Sequence, residues 1–158
     1  MAEPLEPSSC LMVKNVSITP IGVIHTPFTT MHTVPIQPCY SNQIGEVEVL
    51  REFEEGLKDL EGFSHIVILY LFHKSEGYSL TVKPFLDSDE HGLFATRHPN
   101  RPNAIGMSVV RLVERKGRVL RVKGIDILDG TPLIDIKPYV PSFDSRADAK
   151  IGWLEGKT

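Results

Sequence analysis

Ile105-Gly-Met-Ser-Val-Val-Arg-Leu-Val-Glu-Arg-Lys-Gly-Arg-Val-Leu-Arg-Val-Lys-Gly-Ile-Asp-Ile127 is the stretch on which the fold turns. Ile105 to Glu114 and Arg118 to Ile127 are extended runs. Arg115-Lys116-Gly117 joins them with a glycine at the left-handed turn position, which reads as a β-hairpin. Upstream, Gly45-Glu-Val-Glu-Val-Leu50 alternates cleanly, and Val16 to Ile24 alternates well enough for a strand. Ile66 to Phe72 is apolar on both faces and reads as a buried central strand. Ser79–Val82 and Leu93–Ala95 are short strands around the polar turn Asp87-Ser-Asp-Glu-His-Gly92, and Leu133–Ile136 follows the turn at Asp129-Gly130. Leu50, Phe53, Leu57 and Leu60 keep helical spacing, which predicts a short amphipathic helix over 51–60. His25 to Ile44 is a long loop carrying Pro27, Pro35 and Pro38. The expected fold is mainly β, with about seven or eight strands, one short helix and long loops. A small single-domain β-barrel is the simplest closure, because it removes the sheet edges.

The 158 residues suit one domain, and the 41% hydrophobic and 23% charged composition is that of a globular protein. Residues 1–14 read as a flexible N-terminal segment, 15–143 as the barrel domain, and 144–158 as a polar tail docked through Trp153 and Leu154. A net charge of −3 excludes a surface coated in basic charge, so any nucleic-acid site has to be a local patch. Cys10 and Cys39 have neither metal nor redox spacing, and with no secretory leader they read as free thiols in a reducing cytoplasm. The longest apolar run, Ile66–Phe72, has seven residues and cannot span a bilayer.

Ala95-Thr-Arg-His-Pro-Asn-Arg-Pro-Asn-Ala-Ile-Gly-Met-Ser-Val-Val110 carries the most chemistry. Pro99 and Pro102 stiffen the loop and bias their neighbours away from helix. Arg97 and Arg101 present planar forks suited to phosphate or carboxylate. A second polar segment runs from Gly124 to Pro141. There Asp126 alternates with Ile125 and Ile127 and so points away from the apolar face. Asp129 has turn chemistry. Asp135 lies between Ile134 and Ile136, where a carboxylate needs a hydrogen-bonded partner, Lys137 or Arg97. The six histidines show no ligand spacing, so no metal site is expected.

Phe94-Ala-Thr-Arg97, Arg101-Pro-Asn103, Ile105-Gly106 and Asp129-Gly-Thr-Pro-Leu-Ile-Asp-Ile-Lys-Pro-Tyr139 resemble the TsaA-like family, the β-barrel tRNA methyltransferases. Pro20-Ile-Gly-Val-Ile24, Thr26-Pro-Phe28, Pro35-Ile-Gln37, Gly62-Phe-Ser-His-Ile66 and Leu71-Phe-His73 match too, so the resemblance spans about Ile18 to Pro141. Ala104 departs from the family's usual proline, and His98-Pro99-Asn100 replaces a serine-led triplet. The resemblance implies an S-adenosylmethionine-dependent enzyme that methylates N6 of N6-threonylcarbamoyladenosine at position 37 in the tRNA anticodon loop. It also implies a homodimer with sites near the subunit interface. Its cofactor site would draw on Pro38, Cys39, Tyr40, His73, Lys74, Arg97, Met107, Leu133, Ile134, Asp135 and Ile136.

Methyl transfer to a delocalised nitrogen calls for a proton acceptor, and Asp135, Tyr139 and His98 are the candidates. Arg101 and Lys137 suit the substrate's carboxylate, and Asn103 lies in the same loop. Arg111, Arg115, Lys116, Arg118, Arg121 and Lys123 form the densest basic run. Arg115, Lys116 and Arg118 at its turn suit RNA phosphates. Two other readings stay open, a non-catalytic S-adenosylmethionine-binding module and a small-molecule methyltransferase.

Overall fold

The computed structural model describes residues 15–35 and 41–158. Its strands are β1 (Gly22–His25), β2 (Ile44–Val49), β3 (His65–Leu71), β4 (Thr81–Val82), β5 (His91–Gly92), β6 (Ile105–Lys116), β7 (Val119–Lys123) and β8 (Thr131–Pro138). Six of them close an antiparallel barrel in the order β1-β2-β7-β6-β3-β8, while β4 pairs with β5 in a separate two-stranded sheet. The expected hairpin is present, with Lys116 opposite Val119 and Gly117 at φ +58° in the turn. A bulge between Leu112 and Glu114 lets the long β6 leave β3 and pair with β7.

Period-2 alternation fills the interior. Ile66, Ile68 and Tyr70 of β3 point inward, with Val47 and Val49 of β2, Val110 of β6, Leu120 and Val122 of β7, and Leu133 of β8, all buried. Ile125 and Ile127, after β7, cross one mouth of the barrel and are buried there. Thr26 fastens this crossing to β1: its hydroxyl donates to the Ile127 carbonyl at 2.7 Å and its N–H to Asp129 Oδ1 at 3.0 Å. That bond is the turn role expected of Asp129.

Several expected elements differ. The first strand starts only at Gly22, since Pro20 has no N–H to give a ladder. Residues 51–60 form no α-helix but two 3₁₀ segments, Arg51–Leu57 and Leu60–Gly62, with Asp59 left-handed between them. Leu57, which ends the first segment, and Leu60, which opens the second, are buried. Leu93–Ala95 is likewise a 3₁₀ turn, and the partner of Thr81–Val82 is His91–Gly92. A four-residue α-helix, α1 (Pro141–Asp144), follows β8. Among the described residues no helix is long and apolar enough to cross a membrane. The expected flexible segment 1–14, with Cys10, and the expected cofactor residues Pro38, Cys39 and Tyr40 lie outside the described residues.

Candidate active site

The site is built at the mouth that Ile125 and Ile127 cross. Gly106 of β6 has Tyr70 against its backbone: a Cβ there would sit 2.3 Å from the tyrosine ring. The missing side chain lets Tyr70 lie across β6, edge-on to Phe72 with ring centroids 5.5 Å apart. Tyr70 OH is then 2.9 Å from Ser108 Oγ, and the Ser108 hydroxyl donates to Asp126 Oδ1 at 2.6 Å. With the serine proton committed to the carboxylate, the tyrosine must donate to the serine. The result is a directed chain, Tyr70 to Ser108 to Asp126.

Burial pushes the Asp126 carboxyl up to about 6, against the Ser108 hydrogen bond and the Arg97 charge, which both favour ionisation. Burial, and then the Asp126 charge, raise the Tyr70 phenol, which therefore stays protonated. Asp126 lines a cleft of about 80 Å³ with Tyr70, Phe72, His73, Lys74, Asn100, Leu128 and Thr131, closed on one side by Met31 and Val34. The Thr131 hydroxyl donates to the Leu128 carbonyl at 2.7 Å, so His73 Nδ1, 3.4 Å from that oxygen, is placed to donate to it. Burial, then the Lys74 charge, lower the His73 pKa and favour the neutral ring.

The Pro-stiffened loop supplies the other lip. Arg101 Nη1 donates to the carbonyls of Thr96 at 2.9 Å, His98 at 3.2 Å and Leu93 at 3.3 Å. Its guanidinium also lies 5.8 Å from the Phe94 ring centroid. Ser75, just after β3, donates from its hydroxyl toward the Pro99 carbonyl at 3.1 Å and Asn100 Oδ1 at 2.7 Å. These bonds hold Pro99 and Asn100 on the cleft wall and keep Arg97 within electrostatic reach of Asp126. The loop and the 124–131 turn thus converge on one cleft.

The structure brings together only part of the expected set. His73 and Lys74 line the cleft, and Arg97 stands beside it. Leu133 is fully buried inside the barrel and Ile136 packs against that core, so neither faces the cleft. Met107 and Asp135 point out of the barrel, where both register with Leu69. Asp135 pairs with Lys137 at 2.8 Å, and Ile134 sits at the β8 irregularity beside it. Tyr139 lies beside His65, at the opposite end of β3 from the cleft. His98 accepts the Asn100 N–H on Nδ1 at 3.2 Å, and Asn103 is exposed where the loop enters β6.

The basic hairpin tip lies away from the cleft and makes surface pairs. Arg115 donates to the Leu57 carbonyl at 2.9 Å and to Glu61 at 3.1 Å, Arg118 pairs with Glu48 at 2.6 Å, and Lys116 pairs with Glu114 at 3.5 Å. These pairs lie at the surface, with the Lys116 side chain 78% exposed. The tip also lies about 30 Å along β6 from Gly106, at roughly 3.3 Å per residue. Arg101 donates to loop carbonyls.

A roomier groove of about 480 Å³ runs outside the barrel between His25, Glu46, Glu114, Lys116 and Arg121. Its charges are mixed and largely paired. The smaller cleft holds the buried acid and the converging loops, which makes it the candidate site. Asp126 is the site residue that sequence reasoning missed. The available signal was its place in the same polar segment as Asp129 and Asp135.

Residues 23–145 match the tRNA-methyltransferase O N-terminal domain. The chain belongs to the TrmO family. It is 59% identical over 137 residues to a probable S-adenosyl-L-methionine-binding protein of Pyrococcus abyssi, covering 86% of this chain and 74% of that one. It is 37% identical over 139 residues to a human tRNA (adenine(37)-N6)-methyltransferase, covering 83% of this chain and 32% of that protein. The crystal structure of TrmO from Pseudomonas aeruginosa superposes with a TM-score of 0.75 at 43% identity, covering 87% of this chain and 62% of that one. The chain therefore spans about three fifths of that TrmO chain and a third of the human relative. Among the described residues, no three His, Cys, Asp or Glu side chains gather as metal ligands.

Proposed function

We propose that this chain is an S-adenosylmethionine-dependent methyltransferase acting on N6 of N6-threonylcarbamoyladenosine at position 37 of tRNA, working in the cytoplasm as a homodimer. The observation that carries the reading is the convergence of the Arg97 loop and the Asp126 turn on one cleft in a TrmO-family barrel. The relatives' S-adenosyl-L-methionine binding and tRNA (adenine(37)-N6)-methyltransferase names support the donor and the RNA substrate.

The lining fits the donor. Phe72 and Leu128 give a purine an apolar wall, and Lys74 and Asn100 can meet a carboxylate or ribose hydroxyls. When bound, the donor supplies an activated methyl group and its own leaving group. The residues then have to fix the line of attack, which can supply several kcal/mol of the barrier. Arg101 and Ser75 hold the lip, while the directed chain from Tyr70 fixes the carboxylate. Of the expected cofactor residues, His73, Lys74 and Arg97 are retained here. Met107 and Asp135 face outward, and with Ile134 they would join the site across the interface of the proposed homodimer.

For RNA, the outward row His65, Arg111 and Lys123 lies on the same strands as the hairpin tip of Arg115, Lys116 and Arg118. Arg111 pairs in register with both His65 and Lys123. Arg111 and Lys123, like charges placed opposite each other, repel unless an anion lies over them.

The test is mass spectrometry of tRNA nucleosides after incubation with donor and tRNA bearing threonylcarbamoyladenosine. N6-methylated product confirms the reading. Donor binding without turnover assigns a binding module instead, and turnover on small molecules with no salt-sensitive tRNA binding assigns a small-molecule methyltransferase.

A further inference from the structure

We propose that Asp126 is the proton acceptor of methyl transfer and that Ser108 is the positioning residue that aims its carboxylate. The proposal rests on the methyltransferase reading above and names its base. Asp126 is the one acid that lines the cleft among the described residues. Its Oδ1 is fixed by the 2.6 Å bond from Ser108, itself held by Tyr70 at 2.9 Å. The groups facing it are Tyr70 from β3, Ser108 from β6, Thr131 from β8, His73 and Lys74 after β3, and Arg97 from the stiff loop. The other candidates stand less well. Asp135 is ion-paired outside the barrel, Tyr139 is at the far end, and His98 has Nδ1 occupied by a backbone N–H.

The chemistry needs such a group. The acceptor nitrogen shares its lone pair with the adenine ring and the carbamoyl carbonyl. Its N–C bond forms as the S–C bond of the sulfonium breaks, and that electron pair leaves on sulfur as a neutral thioether. The nitrogen must shed its proton, or the product carries a cation. The proton passes to the Asp126 carboxylate and from there to solvent. A base acts best when its pKa lies near the working pH, and burial brings this carboxyl to about 6. The base is active when ionised, so the rate rises with pH and levels off above that value.

The experiment compares the full chain with Asp126→Asn and Ser108→Ala in donor affinity, single-turnover methylation of modified tRNA across pH, and NMR titration of ¹³C-labelled aspartate carboxyls without donor. Asp126→Asn keeps Oδ1 as an acceptor for Ser108 and therefore the fold. We expect it to bind donor within about threefold of wild type while its turnover falls at least about 100-fold. In wild type, one carboxyl absent from the Asn variant titrates near the inflexion of the rate profile. Ser108→Ala removes a hydrogen bond to the ionised form and moves both curves to higher pH together. The proposal is overturned if Asp126→Asn turns over normally, if its donor affinity falls in proportion to its rate, or if Ser108→Ala shifts the titration but not the rate profile. A wild-type chain that methylates no tRNA defeats the functional reading and this proposal with it. An active Asp126→Asn variant defeats this proposal alone.

Discussion

Asp126 serves the cleft against the interest of the fold. Its carboxyl titrates near 6 when folded against an ordinary 3.8, because burial disfavours its charge. The folded state therefore binds this proton more tightly than the unfolded state. The resulting stabilisation is present while the group is protonated and is lost as pH rises from about 4 through about 6. At about 1.4 kcal/mol per tenfold, the ionised carboxylate costs up to about 3 kcal/mol above pH 7. Asp126→Asn should thus melt higher than wild type at pH 8, with the gap closing toward pH 4. Equal melting at pH 8 would mean the carboxylate is better solvated than its surroundings imply. Gly106→Ala should act in the opposite sense. Its new methyl meets the Tyr70 ring, so the variant should lose stability and broaden the Tyr70 ring signals in NMR. The sequence contains two Ile-Asp-Ile triplets, at 125–127 and 134–136. Alternation shows that each aspartate opposes its isoleucines, but not what packs on the aspartate's side. For Asp135 that side is solvent and Lys137; for Asp126 it is Ser108 and Tyr70, brought from strands distant in sequence.

Asp87 ties three elements together. Its carboxylate holds His91 of β5 at 2.9 Å and the Lys157 ammonium from the C-terminal tail. Trp153 stacks on the His91 ring at 4.4 Å and donates its indole N–H to the Ala95 carbonyl at 2.8 Å. The tail thereby braces the turn that leads into Arg97. Lys157 and His91 hold the Asp87 carboxyl well below the ordinary carboxylate range, so the clasp is present at neutral pH and weakens only on strong acidification. Trp153 is the sole tryptophan in the chain, which makes its emission a direct report of docking. Asp87→Asn should shift that emission to longer wavelength at pH 7, and an unshifted spectrum would show that stacking alone holds the tail. That Trp153 docks the tail was legible from its isolation in a polar segment. Its landing site was not, because Leu93–Ala95 reads as a strand and is instead a 3₁₀ turn that presents its last carbonyl outward. The long loop before β2 was legible as irregular from its prolines, and Met31 and Val34 of that loop reach the cleft.

Closure of the barrel leaves apolar surface without a partner. β3 reads as apolar on both faces, yet a barrel strand has only one inner face. Ile66, Ile68 and Tyr70 occupy it, and Val67, Leu69 and Leu71 are left on the outside. Across β6 they meet Ile105, Met107 and Val109, which are 37%, 47% and 36% exposed. The mainly β class and the barrel closure followed from the sequence because the runs alternate or are bounded by turn residues, whereas the barrel closes with six strands rather than the expected seven or eight. The surplus outer face was visible too, as apolar residues where polar ones are expected, but reads as burial until the neighbouring strands are known. In the proposed homodimer this contiguous apolar exterior is the surface offered to the second copy. It also carries Met107 and Asp135, the residues that a site shared between subunits requires. In the homodimer reading a charge at its centre is fatal to association while leaving the inward residues alone. Val109→Glu should therefore convert a species of about twice 17.7 kDa into a monomer, measured by light scattering on a sizing column, with the far-UV spectrum unchanged. If Met107 and Asp135 complete a site across that interface, the monomer should also lose donor affinity. A variant that stays dimeric would move the interface elsewhere on the barrel, and a monomer that binds donor as tightly as wild type would confine the site to a single chain.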